Sequence, residues 1–157
     1  MANTEIIDNF LSKEEIKFLL KYYEEKQTGT LGLTESYIYP LELHVEEKQL
    51  SFLINKLNNK SKQMKESEIE WFQIVKWPPS IGQKLHFDTQ SSRTTLSSII
   101  YLNNDFEGGE TYFEDGTIFK PKPGRALYFD GNYHKHGVKP ISKGTRYTVA
   151  TWYYKYG

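Results

Sequence analysis

In the stretch QKLHFDTQ, residues 83–90, His86 and Asp88 stand two positions apart. In a strand, side chains alternate between faces, so this imidazole and carboxylate would point one way and Leu85 and Phe87 the other. Such a pair can ligate one metal ion, but two ligands hold it poorly, and a third donor must come from elsewhere in the chain. The histidines available are His44, His134 and His136. His44 falls in the helical half. His134 and His136 sit in DGNYHKHGVKP, after a β-type run, where a returning strand can bring them back to residue 86. The chain has no cysteine, which excludes disulfides, thiolate ligands and a Cys nucleophile.

A second group of residues narrows the chemistry. In GTRYTVATWYY, alternation puts Arg146, Thr148, Ala150 and Trp152 on one face, and Tyr147, Val149, Thr151 and Tyr153 on the other. A fixed cation, a hydroxyl, a small residue and an aromatic wall suit a pocket for a carboxylate-bearing small molecule. They suit a dry core less well, because an unpaired guanidinium is costly there. The competing reading is an edge arginine in a surface ion pair. Two histidines and one carboxylate, with coordination positions left open, form the facial arrangement of non-haem Fe(II) oxygenases.

The elements that must position these residues divide the chain in two. Near the start, Ser12 and Glu15 form an S-x-x-E capping box, and Ile16, Leu19, Leu20 and Tyr23 follow at helical spacing. A second helix is expected near residues 46–65, with Leu50, Phe52, Leu53, Ile54 and Leu57 on its apolar face. The intervening TGTLGLTESYIYPLELHV reads as a loop and a short strand. From about Glu70, β-branched and aromatic runs (WFQIVKW, TLSSIIYL, ETYFE, ALYF, RYTVATWYY) alternate with turn clusters such as PPSIG, KPKPG and ISKG. That texture predicts a mostly β sandwich or barrel behind N-terminal helices. The expected organisation is one domain over residues 1–157, with 1–68 as helical support and 69–157 as the β core. Twenty basic and twenty acidic residues cancel, which argues against general attraction to nucleic acid or anionic membrane. The N-terminus lacks the pattern of a signal peptide, and no segment has membrane-spanning length, so a cytoplasmic protein is expected.

From Trp71 to Tyr154 the sequence resembles the Fe(II)/2-oxoglutarate-dependent dioxygenase superfamily, and within it the prolyl 4-hydroxylase-like branch. The resemblance is carried by HFD at 86–88, YLN at 101–103, FEGGETYF at 106–113, PKPGRALYF at 121–129, HGV at 136–138 and GTRYTVATW at 144–152. It implies a double-stranded β-helix (jelly roll, cupin-like) flanked by N-terminal helices. It also implies Fe(II) as cofactor, 2-oxoglutarate and O2 as cosubstrates, and ascorbate as reductant. On the family pattern His86, Asp88 and His136 hold the iron and provide the catalytic centre. His136 is taken over His134 because it is the His of HGV and precedes the basic residue by ten positions. Arg146 then binds the distal carboxylate of 2-oxoglutarate, helped by Tyr101, Thr111, Thr148 and Trp152. Gly108, Gly109 and Gly124 are expected to serve turns.

Two departures bear on the substrate. Nine residues before His86, where the family often carries a cosubstrate-facing tyrosine, this chain has Trp77. An indole donates a hydrogen bond but accepts none. Arg93 is the nearest match to a peptide-gripping arginine, but it precedes Tyr101 by eight positions instead of seven. Arg93 and Trp77 are therefore the substrate-side candidates. An intact Asp88 favours hydroxylation over halogenation, and Trp152 stands where related nucleic-acid demethylases carry a second arginine. The resemblance implies hydroxylation of a prolyl residue in a peptide or protein, with succinate and CO2 released. The alternatives are the same chemistry on another residue, a small molecule or a nucleobase, and a non-catalytic module that binds metal or 2-oxoglutarate.

Overall fold

Ser12 and Glu15 close the capping box reciprocally, and helix α1 (Lys13–Lys26) starts at the next residue. This computed structural model describes residues 4–27, 38–88 and 92–155. Residues 28–37 of the expected loop, and the last two residues of QKLHFDTQ, lie outside the described residues. The second helix, α2 (Ser51–Lys65), begins later than its apolar pattern predicts. A 3-10 turn (Lys48–Leu50) precedes it, capped by the Glu47 carboxylate accepting from the Gln49 N–H.

Twelve strands make up the rest. The first six are β1 (Glu5–Ile7), β2 (Tyr39–Leu43), β3 (Ser67–Trp77), β4 (Gln83–His86), β5 (Thr94–Tyr101) and β6 (Glu107–Gly108). The others are β7 (Thr111–Phe113), β8 (Ile118–Phe119), β9 (Ala126–Phe129), β10 (His136–Val138), β11 (Ile141–Lys143) and β12 (Arg146–Lys155). A six-stranded sheet runs in the order β1-β9-β5-β12-β3-β2, a four-stranded sheet β4-β10-β7-β8, and β11 pairs with β6. All pairings are antiparallel. Residues ahead of β3 thus supply strands β1 and β2 at the two edges of the large sheet as well as the helices.

The large sheet buries both faces. On one side, Phe72, Ile74, Leu96, Ile100, Val149 and Tyr153 pack against Leu19 of α1 and against Leu53 and Leu57 of α2. These three leucines are fully buried. Each stabilises the fold by about 1.5–3 kcal/mol through area removed from water. On the other side, Val75 and Trp77 pack against Val138 and Ile141, and Leu127 and Phe129 against Phe113 and Phe119. The large sheet therefore packs face to face with the smaller one, the jelly-roll arrangement expected from the sequence. Among the described residues no helix is long and apolar enough to cross a membrane.

Candidate metal centre and adjoining cavity

Strand β10 lies beside β4, with His136 directly opposite His86. Antiparallel partners in one sheet bring their side chains together on the same face, and the two imidazole centroids are 4.4 Å apart. Asp88 follows the end of β4, where its backbone N–H donates to the Gly131 carbonyl at 2.9 Å. One ligand atom from each of His86, Asp88 and His136 lies within 4.8 Å of the others, the one such cluster of three among the described residues. Asp88 Oδ1 stands 3.2 Å from His136 Nε2 and 3.6 Å from His86 Nε2. Donors about 2.1 Å from a common ion stand roughly 3 Å apart on one octahedral face, close to both carboxylate–imidazole distances.

Both imidazoles are oriented by the backbone in the same way. His86 Nδ1 lies 2.8 Å from the Lys84 carbonyl, and His136 Nδ1 lies 2.9 Å from the His134 carbonyl. A carbonyl only accepts, so each Nδ1 carries the proton and each Nε2 is left to ligate. Burial alone would raise the Asp88 carboxyl, but the adjacent imidazoles of His136 and His86, with the Ser97 hydroxyl, overcome this and hold it well below the usual carboxylate range. For His86 burial pulls the other way, and contact with Asp88 and the Lys84 carbonyl leaves the imidazole raised. Two nitrogen donors and one anionic oxygen on one face suit Fe(II) with positions left for other ligands.

The cavity beside this triad has a floor built from alternate residues of three strands. Cross-strand register places Trp77 opposite Arg146, Val75 opposite Thr148, Gln73 opposite Ala150 and Trp71 opposite Trp152. On the other flank of β12, Tyr101 pairs with Thr148, Ile99 with Ala150 and Ser97 with Trp152. The cavity measures about 350 Å³, and His86, Asp88 and His136 line it together with Arg146, Thr148 and Trp152. All three tryptophans of the chain face it.

Arg146 is 1% exposed, yet among the described residues no carboxylate pairs with it. Its Nη2 donates to Thr111 Oγ1 at 3.2 Å, and Thr111 shares a 2.5 Å hydrogen bond with the Tyr101 hydroxyl. Among the described residues its Nε has no partner, and neither does the buried indole Nε1 of Trp77. Burial lowers the guanidinium's affinity for its proton, and the nearby Tyr101 hydroxyl partly restores it. Gly109, at φ +73°, makes the close approach possible, since a Cβ there would meet Phe106 at 2.7 Å and Arg146 Cδ at 3.2 Å. A buried cation with unsatisfied donors calls for an anion, and a small dicarboxylate reaching from the triad to Arg146 fits both ends.

The remaining residues singled out in the sequence are placed as follows. Tyr101 and Thr111 stand behind Arg146 and do not line the cavity, while Trp77 does. Arg93 is exposed and lies outside the lining, its guanidinium 4.2 Å from the centroid of the Tyr154 ring. His134 stacks on Phe113 at 4.7 Å, and His44 is exposed beyond β2, so neither joins the triad. Sequence reasoning passed over Trp71, Gln73, Ser97 and Gly131. The period of two in β5, counted back from Tyr101, is the signal that reaches Ser97.

Residues 72–154 match the sequence pattern of the 2OG-Fe(II) oxygenase superfamily. Prolyl 3-hydroxylase 2 of Homo sapiens is 42% identical over 64 residues, covering 36% of this chain and 9% of that protein. Prolyl 3-hydroxylase 1 of Gallus gallus matches to the same extent. The chain therefore spans under a tenth of the length of these curated relatives. Among solved structures, the viral collagen prolyl hydroxylase of Paramecium Bursaria Chlorella virus-1, in its 2OG complex, superposes with a TM-score of 0.77 at 21% identity. The alignment covers 99% of this chain and 97% of that one. A Pseudomonas putida prolyl-4-hydroxylase gives 0.80 at 17% identity, over 100% and 95% of the two chains. Both share the fold.

Proposed function

The chain belongs to the 2OG-Fe(II) oxygenase superfamily, and from that premise we propose an Fe(II)- and 2-oxoglutarate-dependent hydroxylase acting on a prolyl residue of a peptide or protein. The observation that carries this reading is the buried Arg146, which no carboxylate among the described residues pairs with, in the same cavity as His86, Asp88 and His136. A structural module that only held a metal would gain nothing from keeping such a cation, which costs stability when unpaired.

In this reading His86 Nε2, Asp88 Oδ1 and His136 Nε2 ligate the iron. Arg146 binds the distal carboxylate of 2-oxoglutarate, with Tyr101 and Thr111 fixing the guanidinium and Thr148 lining its approach. The bound iron, with 2-oxoglutarate and dioxygen, supplies an oxidation that releases succinate and CO2 as one oxygen atom enters a substrate C–H bond. The protein's part is to orient the cosubstrate and shield the site from bulk water, which Val75, Ile99, Phe129 and Val138 do as apolar lining. At the far end of the floor the rings of Trp71 and Trp152 lie 5.5 Å apart. Aromatic surfaces of that kind suit an extended, proline-containing chain, and the names of the matching relatives support the same substrate class.

The test is purified protein incubated with Fe(II), 2-oxoglutarate, ascorbate and a set of proline-rich peptides. We expect peptide-dependent succinate and a single added oxygen on a prolyl residue by mass spectrometry, both lost in His136→Ala. Succinate formation with oxygen placed on another residue would keep the chemistry and overturn the substrate. No iron-dependent succinate with any peptide, small molecule or nucleobase would leave a binding module.

A further inference from the structure

The two carboxylate oxygens of Asp88 have separate surroundings. Oδ1 is the atom nearest both imidazoles, at 3.2 and 3.6 Å. Oδ2 accepts from the Ser97 hydroxyl at 2.6 Å. Ser97 lies on β5, in the large sheet, whereas His86 and His136 lie in the small one. This bond therefore ties the carboxylate to the opposite wall of the cavity. Ser97 is 2% exposed, and its strand is paired on both sides, by β12 and β9, so its backbone cannot drift.

A second residue closes the same socket. The Gly131 carbonyl accepts from the Asp88 N–H. A Cβ added at Gly131 would lie 2.6 Å from Asp88 Oδ2, 2.7 Å from Asp88 Cβ and 2.7 Å from Ser97 Oγ. A Cβ essentially never approaches non-bonded atoms that closely, so a side chain at Gly131 would displace Asp88 or Ser97 and disturb the hydrogen bond between them.

Resting on the reading of the triad as a metal centre, we propose that Ser97 is a positioning residue that restrains Asp88 to ligate through Oδ1 alone, with Gly131 completing its socket. A carboxylate free to turn can present both oxygens to one ion, and a hydroxyl committed to Oδ2 opposes that. The consequence is a coordination position kept open for cosubstrate. Neither residue touches the ion, so both act through Asp88.

The experiment loads the metal-free protein with Co(II), following affinity by calorimetry and coordination by the visible absorption of the bound ion. Ser97→Ala is expected to lower Co(II) affinity by about 10- to 100-fold, the usual cost of removing a ligand's hydrogen-bond partner. It should also alter the absorption spectrum, while the metal-free protein stays folded with a somewhat lowered unfolding midpoint, since a hydrogen bond to a buried carboxylate is lost. Ser97→Thr, which keeps a hydroxyl, should restore affinity and spectrum. Gly131→Ala, with Ser97 intact, should weaken Co(II) binding independently. Wild-type affinity and spectrum in Ser97→Ala would overturn the proposal while leaving the metal centre standing. Unaltered binding in Gly131→Ala would overturn the socket, and a wild-type protein that takes up no Co(II) would overturn the metal centre itself.

Discussion

The indole of Trp77 lies over the guanidinium of Arg146, with Arg146 Cζ 5.0 Å from the ring centroid, and the two residues are direct partners across β3 and β12. The ring of Tyr101 lies 5.5 Å from the same carbon. Trp77 therefore does more than replace a tyrosine by a poorer hydrogen-bonding group. Its ring supports the cation, and its buried Nε1 is a second donor beside it.

Replacing Trp77 separates these two contributions. Trp77→Phe keeps a weaker stacking surface and removes the donor, and Trp77→Leu removes both. A cation–π contact is worth about 0.5–2 kcal/mol. We expect 2-oxoglutarate to bind the metal-loaded Trp77→Phe protein several-fold more weakly, and the Leu variant more weakly still. Titration calorimetry with Mn(II)-loaded protein reads both, and wild-type affinity in Trp77→Leu would refute the role.

Arg146→Met should have opposite effects on binding and stability. Each hydrogen bond to a charged group contributes about 1.5–3 kcal/mol, so loss of a two-bond carboxylate clamp should cut 2-oxoglutarate affinity by about 100-fold or more. In the ligand-free protein no carboxylate among the described residues pairs with the buried guanidinium, and an apolar side chain of similar volume is often neutral or stabilising at such a site. Thermal unfolding without ligand should therefore show a midpoint equal to or above the wild type.

Metal removal should be visible without any turnover. An ion that binds only the folded state at 100 times its dissociation constant adds about 2.7 kcal/mol of stability. The wild type should melt higher with Mn(II) or Co(II) than with a chelator. His136→Ala and Asp88→Ala should lose that difference. A metal-induced rise that persists in both variants would place the ion elsewhere.

Alkaline pH should loosen helix α1 from the sheet. The Tyr23 hydroxyl donates to the Tyr39 carbonyl at 2.6 Å, and burial pushes this phenol up to about 12. In the unfolded chain a tyrosine titrates near about 10. A folded value raised above the unfolded one gives stability that is complete below about pH 10 and is lost as pH climbs toward the folded value. Tyr23→Phe should be less stable by about 1 kcal/mol at neutral pH. That gap should narrow between pH 10 and 12 in denaturant titrations; a constant gap would count against it.

Much of this protein is legible in the residues alone, where the signal is local. Ser12 and Glu15 mark the start of α1 because a capping box involves only neighbouring peptide groups. The period of two in β12 placed Arg146, Thr148, Ala150 and Trp152 on one face, and all four line the cavity. The second helix started late because its apolar pattern runs on into a 3-10 turn, which periodicity does not distinguish from a first helical turn. Arg93 stood near a family position in the sequence, but its guanidinium lies over Tyr154 and outside the lining.

The sequence by itself determined which side chains are available and which neighbours share a face, since the backbone repeat sets both. It thereby put Arg146, Thr148, Ala150 and Trp152 on one β face, whereas Asp88 lies beyond the end of β4, where the strand repeat no longer applies. Tertiary structure alone decided which strands lie side by side and in what register. That choice set His136 rather than His134 opposite His86, Trp77 opposite Arg146, and Ser97 beneath Asp88. The physical reason is that pairing between distant strands depends on the burial of two whole sheet faces and two helices at once. A shift of one residue would exchange the faces of every strand involved, and no short stretch of sequence carries that balance.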